Sequence, residues 1–129
     1  MLNAAAVPAS VPVPVPVLDS ERLDCYRVAL EFQVLVSGLL PKGQATLRDQ
    51  LERASVSVVL NTAEGAGRRS RRDKRRFYSM ARGSAMECAA VLDLLAARQL
   101  AAADQCQHGR ALLVRIVQML TRLEQRMSR

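Results

Sequence analysis

The chain has 129 residues, 50% hydrophobic but only 3% aromatic, and its 19 basic residues (17 Arg, two Lys) against 12 acids give a formal net charge of +7. That length supports one core and not two, and a half-apolar chain with 24% charge is not wholesale disordered. With so few aromatics and five Pro, the core falls to Leu, Val and Ala, which favours helix packed on helix.

Residues 1–18 read as a disordered Pro/Val-rich tail and 19–129 as the folded domain. In Val11-Pro-Val-Pro-Val-Pro-Val17 each proline fixes its own φ and pushes its predecessor out of the α region. The stretch is therefore extended or polyproline II, either a floppy tail or a short docking arm. Met1 to Val17 carries no basic residue, which fits neither a signal nor a transit peptide. No apolar run reaches about 18 residues, so no membrane span is expected and the predicted location is cytoplasmic.

The first helix is predicted from Asp19 to near Leu40. Leu23, Tyr26, Leu30, Val34 and Ser37 trace one stripe at three- and four-residue steps, and Phe32, Val36 and Leu39 trace a second. Pro41-Lys42-Gly43 follows as a break. A second helix is predicted from Gln44 to Ala63. Its middle, Ser55-Val-Ser-Val-Val-Leu60, has strand propensity, but Leu47, Leu51, Ala54 and Val58 keep helical spacing and no hairpin partner is visible. Gly65 and Gly67 then read as its terminus. Ser70, with Asp73 three residues on, opens the third helix. Phe77, Ala81, Ser84, Cys88, Leu92 and Leu95 form its seam as far as about Gln99. Asp104 reads as the N-cap of a fourth, whose apolar face is Leu112, Ile116, Met119, Leu120, Leu123 and Met127. The predicted fold is all-α: an antiparallel up-down four-helix bundle with short loops.

Cys25, Cys88 and Cys106 are widely spaced, odd in number and without a C-x-x-C, which points to buried free thiols and away from a disulfide framework or a zinc site. His108 is the single histidine and is expected at the surface. No phosphate loop, H-E-x-x-H, nucleophile elbow or EF-hand pattern occurs. Glu64 and Glu87 lack the Glu-x-x-His units of bundle metal sites. The expectation is no catalytic residue, no metal and no cofactor.

The charge is local. Arg68 to Arg76 holds seven basic residues and one acid in nine positions, a net +6, leaving +1 for the remaining 120 residues. On a helical wheel Arg71, Arg72, Arg75, Arg76, Ser79 and Arg82 fall within about 140° of arc, opposite the seam led by Phe77 and Ala81. Lys74 falls nearer that seam. A solvated basic face is the plain interpretation, yet two features oppose it. Arg71 with Arg75 and Arg72 with Arg76 are repulsive four-residue pairs, and the cluster sits where the helix dipole is already positive. A counter-anion is therefore expected, and exposed N–H groups at a helix start also bind phosphate. Phe77 is needed in the core, so base stacking is poorly supported and binding through phosphate is expected. The candidate nucleic-acid contacts are Arg68, Arg69, Arg71, Arg72, Arg75, Arg76 and Arg82.

Asn61-Thr-Ala-Glu-Gly65-Ala-Gly-Arg68 resembles the N-I-A-E-G-x-G-R pattern of the four helix bundle protein family, also called 23S rRNA-intervening sequence proteins. Thr62 stands where that family has an aliphatic residue. Ala81-Arg-Gly-Ser-Ala-Met-Glu87 is similar to its A-R-G-S-x-x-E, and Leu23-Asp-Cys-Tyr-Arg-Val-Ala29 to its L-x-V-(aromatic)-x-x-A. The resemblance covers roughly residues 19 to 126; the Pro-Val tail and the arginine density lie outside it. It implies a left-turning antiparallel bundle assembled into a ring-like homo-oligomer, a pentamer. A more distant likeness is to the accessory variability determinant of diversity-generating retroelements, a basic pentameric bundle that binds nucleic acid and a reverse transcriptase. The family-pattern positions here are Asn61, Glu64, Gly65, Arg82 and Glu87. Their expected role is structural: Asn61 and Glu64 satisfy backbone groups where the second helix ends, Gly65 permits the turn, and Arg82 pairs with a carboxylate, Glu87 or Glu64.

The function expected from the sequence is a non-enzymatic oligomer that binds RNA or DNA through the arginine stripe. The alternatives are a module for an acidic protein partner, such as a reverse transcriptase, and a structural oligomer whose basic face is incidental.

Overall fold

The structure is a computed structural model that describes residues 18–39 and 43–128. The Pro-Val segment and the Pro41-Lys42 break lie outside the described residues. A 3₁₀ turn, Asp19–Arg22, leads into four helices: α1 (Asp24–Ser37), α2 (Ala45–Gly67), α3 (Arg71–Ala97) and α4 (Ala103–Met127). No strand occurs among the described residues. The strand-like Ser55–Leu60 stretch is helical because Ser55 and Val58 face the core, and Ser55 Oγ donates to the Glu52 carbonyl one turn back.

Each helix packs on its two neighbours, α1 and α3 both flanking α2 and α4. The contacts run in opposite senses along adjacent helices. Gln50 meets Glu87, Ser57 meets Ser84, and Gly65 meets Tyr78 between α2 and α3. Arg75 meets Ser128, Arg82 meets Thr121, and Asp93 meets Arg110 between α3 and α4. Short connections between consecutive helices give this antiparallel arrangement, since a parallel neighbour would need a long crossover.

The core is built from Phe32, Leu51, Val58, Leu92, Leu95, Leu113, Ile116 and Leu120 with several Ala and the thiols between them. Gly109 of α4 sits where three helices approach closely: an added Cβ would lie 3.0 Å from Leu92 and 3.3 Å from Leu35. Cys25, Cys88 and Cys106 are free and buried, as their spacing predicts. Burial pushes the Cys25 and Cys88 thiols up to about 12, so they are packing groups and not nucleophiles.

Several register details differ from the sequence reading. In α1 the buried stripe is Cys25, Val28, Ala29, Phe32 and Val36, continued by Leu39; Val34 and Ser37 are exposed. Two apolar stripes compete there, and the one carrying Phe32 is buried. The second helix runs through Gly65 to Gly67 instead of ending at Ala63. In α3 the core aromatic is Tyr78, 3% exposed, and not Phe77. The cap of α4 is Ala102, with Asp104 Oδ1 accepting from the Gln105 amide in the first turn.

Candidate functional site

The junction of α2 and α3 is built from local sequence outward. Ser70 caps α3: its Oγ accepts from the Asp73 amide at 3.0 Å, the expected pairing. Three residues, Arg68 to Ser70, separate the two helices, so the basic run begins at a sharp reversal and continues down the first turns of α3. Lys74 points back across that reversal. Its Nζ donates to the Ala66 carbonyl at 2.7 Å and the Gly65 carbonyl at 3.3 Å, closing the orphan carbonyls at the end of α2. The one lysine of the run is thus structural.

Gly65 serves a different purpose from the expected turn. It is buried within α2, and an added Cβ would lie 2.7 Å from Tyr78 Cε1 and 3.2 Å from Phe77 Cβ. The glycine lets the Tyr78 ring press against the α2 backbone. This burial holds the Tyr78 phenol up at about 12. Asn61 is correspondingly not at a helix end. Its Nδ2 donates to the Ser57 carbonyl at 3.0 Å and to Ser57 Oγ at 2.9 Å, while Ser57 Oγ lies 2.8 Å from Ser84 Oγ. These three residues tie α2 to α3 through a half-buried polar bridge. Glu87 accepts from Gln50 Nε2, and Arg82 Nε donates to Thr121 Oγ1 at 3.1 Å. The expected Arg82–carboxylate pair is therefore replaced by a hydroxyl contact to α4, because Arg82 projects toward α4 and Glu64 and Glu87 lie on the α2 side.

With Phe77 displaced from the core by Tyr78, its ring becomes a platform. The Arg68 and Arg76 guanidinium carbons lie 4.7 and 4.4 Å from its centroid, within cation–π range. Arg68 is also held by Glu64, 2.6 Å away. A helical wheel hides this cluster because it assigns every large apolar side chain to the core. The available signal is the two adjacent aromatics, of which only one can face inward.

Arg72, Arg75 and Arg76 converge with Asp73, Ser79, Met80 and, from α4, Glu124 on an open groove of about 700 Å³. Arg69, Arg71, Arg72, Arg75 and Arg76 are all exposed. Among the described residues, the ion pairs that form are Arg27–Asp24, Arg68–Glu64 and Arg110–Asp93, none of which engages Arg69, Arg72, Arg75 or Arg76. The contact that anchors the groove wall is Arg75 Nη1 to Ser128 Oγ, long at 3.4 Å, with Ser128 Oγ in turn donating to the Glu124 carbonyl. Glu124 is invisible to reasoning along one helix. It joins the stripe only because antiparallel α4 ends beside the start of α3.

Of the sequence-predicted contacts, the structure thus gathers Arg72, Arg75 and Arg76 into one groove and holds Arg68 on the Phe77 platform beside it. Arg82 is partly buried lower on α3, at the α4 contact. His108 is exposed, and no group of three or more metal-ligating side chains occurs among the described residues. No described helix is long and apolar enough to cross a membrane.

No curated protein matches the chain. The model of one family, described as 23S rRNA-intervening sequence protein, matches residues 21–122, a span that takes in the 3₁₀ turn, α1, α2, α3 and most of α4. The chain belongs to the 23S rRNA-intervening sequence protein family.

Proposed function

We propose that the protein is a non-enzymatic nucleic-acid-binding bundle that grips the phosphate backbone with the groove at the start of α3. The observation that carries this reading is the convergence of Arg72, Arg75 and Arg76 on one open concavity with no carboxylate ion-paired to any of them among the described residues. Guanidinium groups suit planar, bidentate contact with phosphate oxygens. Held next to one another at a helix start, they are mutually repulsive, and a polyanion relieves that repulsion. The arrangement has no exposed aromatic free to stack on a base, since Phe77 is already covered by Arg68 and Arg76. Binding is then sequence-tolerant and salt-dependent.

The proposed assembly is a ring-like homo-oligomer, pentameric by family resemblance, in which repetition of the groove converts a weak contact into avidity. Light scattering on the eluting protein measures the subunit number; a strict monomer removes the ring. The binding test is titration of labelled RNA and duplex DNA across salt concentrations. Arg72→Gln, Arg75→Gln and Arg76→Gln together are expected to lower affinity by at least tenfold and to reduce the salt slope by about one for each phosphate-bound arginine replaced. Affinity and slope unchanged in the triple variant would rule the groove out.

A second reading has its own observation. Beyond the stripe, the solvent side of α3 carries the exposed apolar residues Met80, Met86 and Leu94, a surface fitted to a protein partner whose acidic part meets the arginines. Protein that elutes free of nucleic acid before and after a high-salt wash, yet captures an acidic partner, favours that reading.

A further inference from the structure

The groove holds one atom that phosphate binding leaves unexplained. Glu124 Oε1 is fully buried and accepts no hydrogen bond from any described residue. It lies in the wall of the groove that Arg72, Arg75 and Arg76 line, together with Ser79 and Met80. A buried carboxylate oxygen retains its need for a donor. The surroundings restrict what that donor can be. Three guanidiniums on the same groove disfavour a second cationic ligand such as an ammonium group or a metal ion, so the donor that fits is a neutral O–H or N–H. The same guanidiniums require that this donor be carried by an anion. A hydroxyl on a sugar that also bears a phosphate satisfies both conditions.

We propose that Glu124 accepts a hydrogen bond from a ribose 2′-hydroxyl while Arg72, Arg75 and Arg76 hold the neighbouring phosphates, so that the groove selects RNA over DNA. The inference rests on the phosphate-binding reading above and adds to it the class of nucleic acid. The pairing of a phosphate grip with an acid on the sugar hydroxyl is a general solution for ribose recognition. The wide, shallow minor groove of A-form RNA presents its 2′-hydroxyls beside the phosphates, where a wall of this kind can reach them. Asp73, the other acid of the groove, sits in the first turn of α3, where its amide is bound to Ser70 Oγ. Its carboxylate oxygens are not buried without a partner, so it carries no such requirement.

The test compares three duplexes of one sequence: RNA, DNA, and 2′-O-methyl RNA, which keeps the A-form and the phosphates but has no hydroxyl donor. The wild-type protein is expected to bind RNA about tenfold more tightly than either of the others, the scale of one hydrogen bond to a charged group. Glu124→Leu is expected to bind all three alike, and Glu124→Gln, whose amide oxygen still accepts, to retain most of the preference. Helical circular dichroism of both variants verifies that they are folded. Equal wild-type binding to RNA and 2′-O-methyl RNA, or a preference that survives in Glu124→Leu, overturns ribose selection while leaving phosphate binding intact. No binding to any duplex, or binding without salt dependence, overturns both.

Discussion

Single atoms decide the geometry of the α2–α3 junction. Gly65 has no Cβ, and the Tyr78 ring occupies the place where one would be. Tyr78 is enclosed at 3% exposure, so the ring has little freedom to yield. Gly65→Ala is therefore expected to destabilise the fold by about 1–3 kcal/mol through overpacking, although alanine is the better helix former; urea unfolding at fixed protein concentration measures it. An unchanged midpoint would mean that the ring moves freely. The same ring explains why Phe77 lies outside. Two neighbouring residues on a helix stand about 100° apart, and once Tyr78 is seated against Gly65, Phe77 is directed to the edge where Arg68 and Arg76 cover it.

The elements follow from the sequence to unequal degrees. Helices α3 and α4 are legible because each carries one continuous apolar seam, and the Ser70–Asp73 pair marks a start that the structure reproduces. Ser70→Ala is expected to cost about 1 kcal/mol, more than an ordinary surface change because the cap sits under a run of like charges; the midpoint of thermal unfolding reads it, and added salt should offset part of the loss by screening those charges. Two features are harder to see. Helix α1 carries two apolar stripes, and periodicity alone does not say which one the other helices cover. Helix α2 continues past two residues that ordinarily signal an end, because Gly65 is retained for close packing and Lys74, from the next helix, supplies the capping donors. The arginine stripe itself is legible as a charge run. Its shape as a groove is not, since Glu124 and Ser128 arrive from the far end of the chain.

On the scale of the whole molecule, four helices share one core that includes three protonated thiols. Cys25 and Cys88 have an ordinary thiol value of 9.0, and burial raises both to about 12. The unfolded chain releases these protons first as pH rises. Between about pH 9 and 12 the folded state binds more protons than the unfolded one, so stability is intact below that window and falls as pH climbs through it. Tyr78, raised from 10.0 to about 12 by burial, adds in the same direction. Thermal midpoints measured from neutral pH up to about 11 should therefore decline, and Cys88→Ala should flatten part of the slope. A flat profile would show that the thiolates already form in the folded protein. The same burial predicts that alkylating reagents modify Cys25 and Cys88 only as fast as the bundle opens.

Lys74 has a use beyond capping. It is the one lysine among the described residues, every other side-chain cation on the helices being arginine apart from the titratable His108. Amine-directed chemistry therefore leaves the guanidinium groove untouched and finds, on the folded helices, a single ammonium already engaged by the carbonyls of Gly65 and Ala66. Acylation there can proceed only when the hairpin of α2 and α3 loosens, and the product, neutral and longer, does not restore the lock. The rate of labelling at that one residue is accordingly a clock for the opening of the junction that carries the arginines, readable by mass spectrometry in the presence or absence of a bound polyanion.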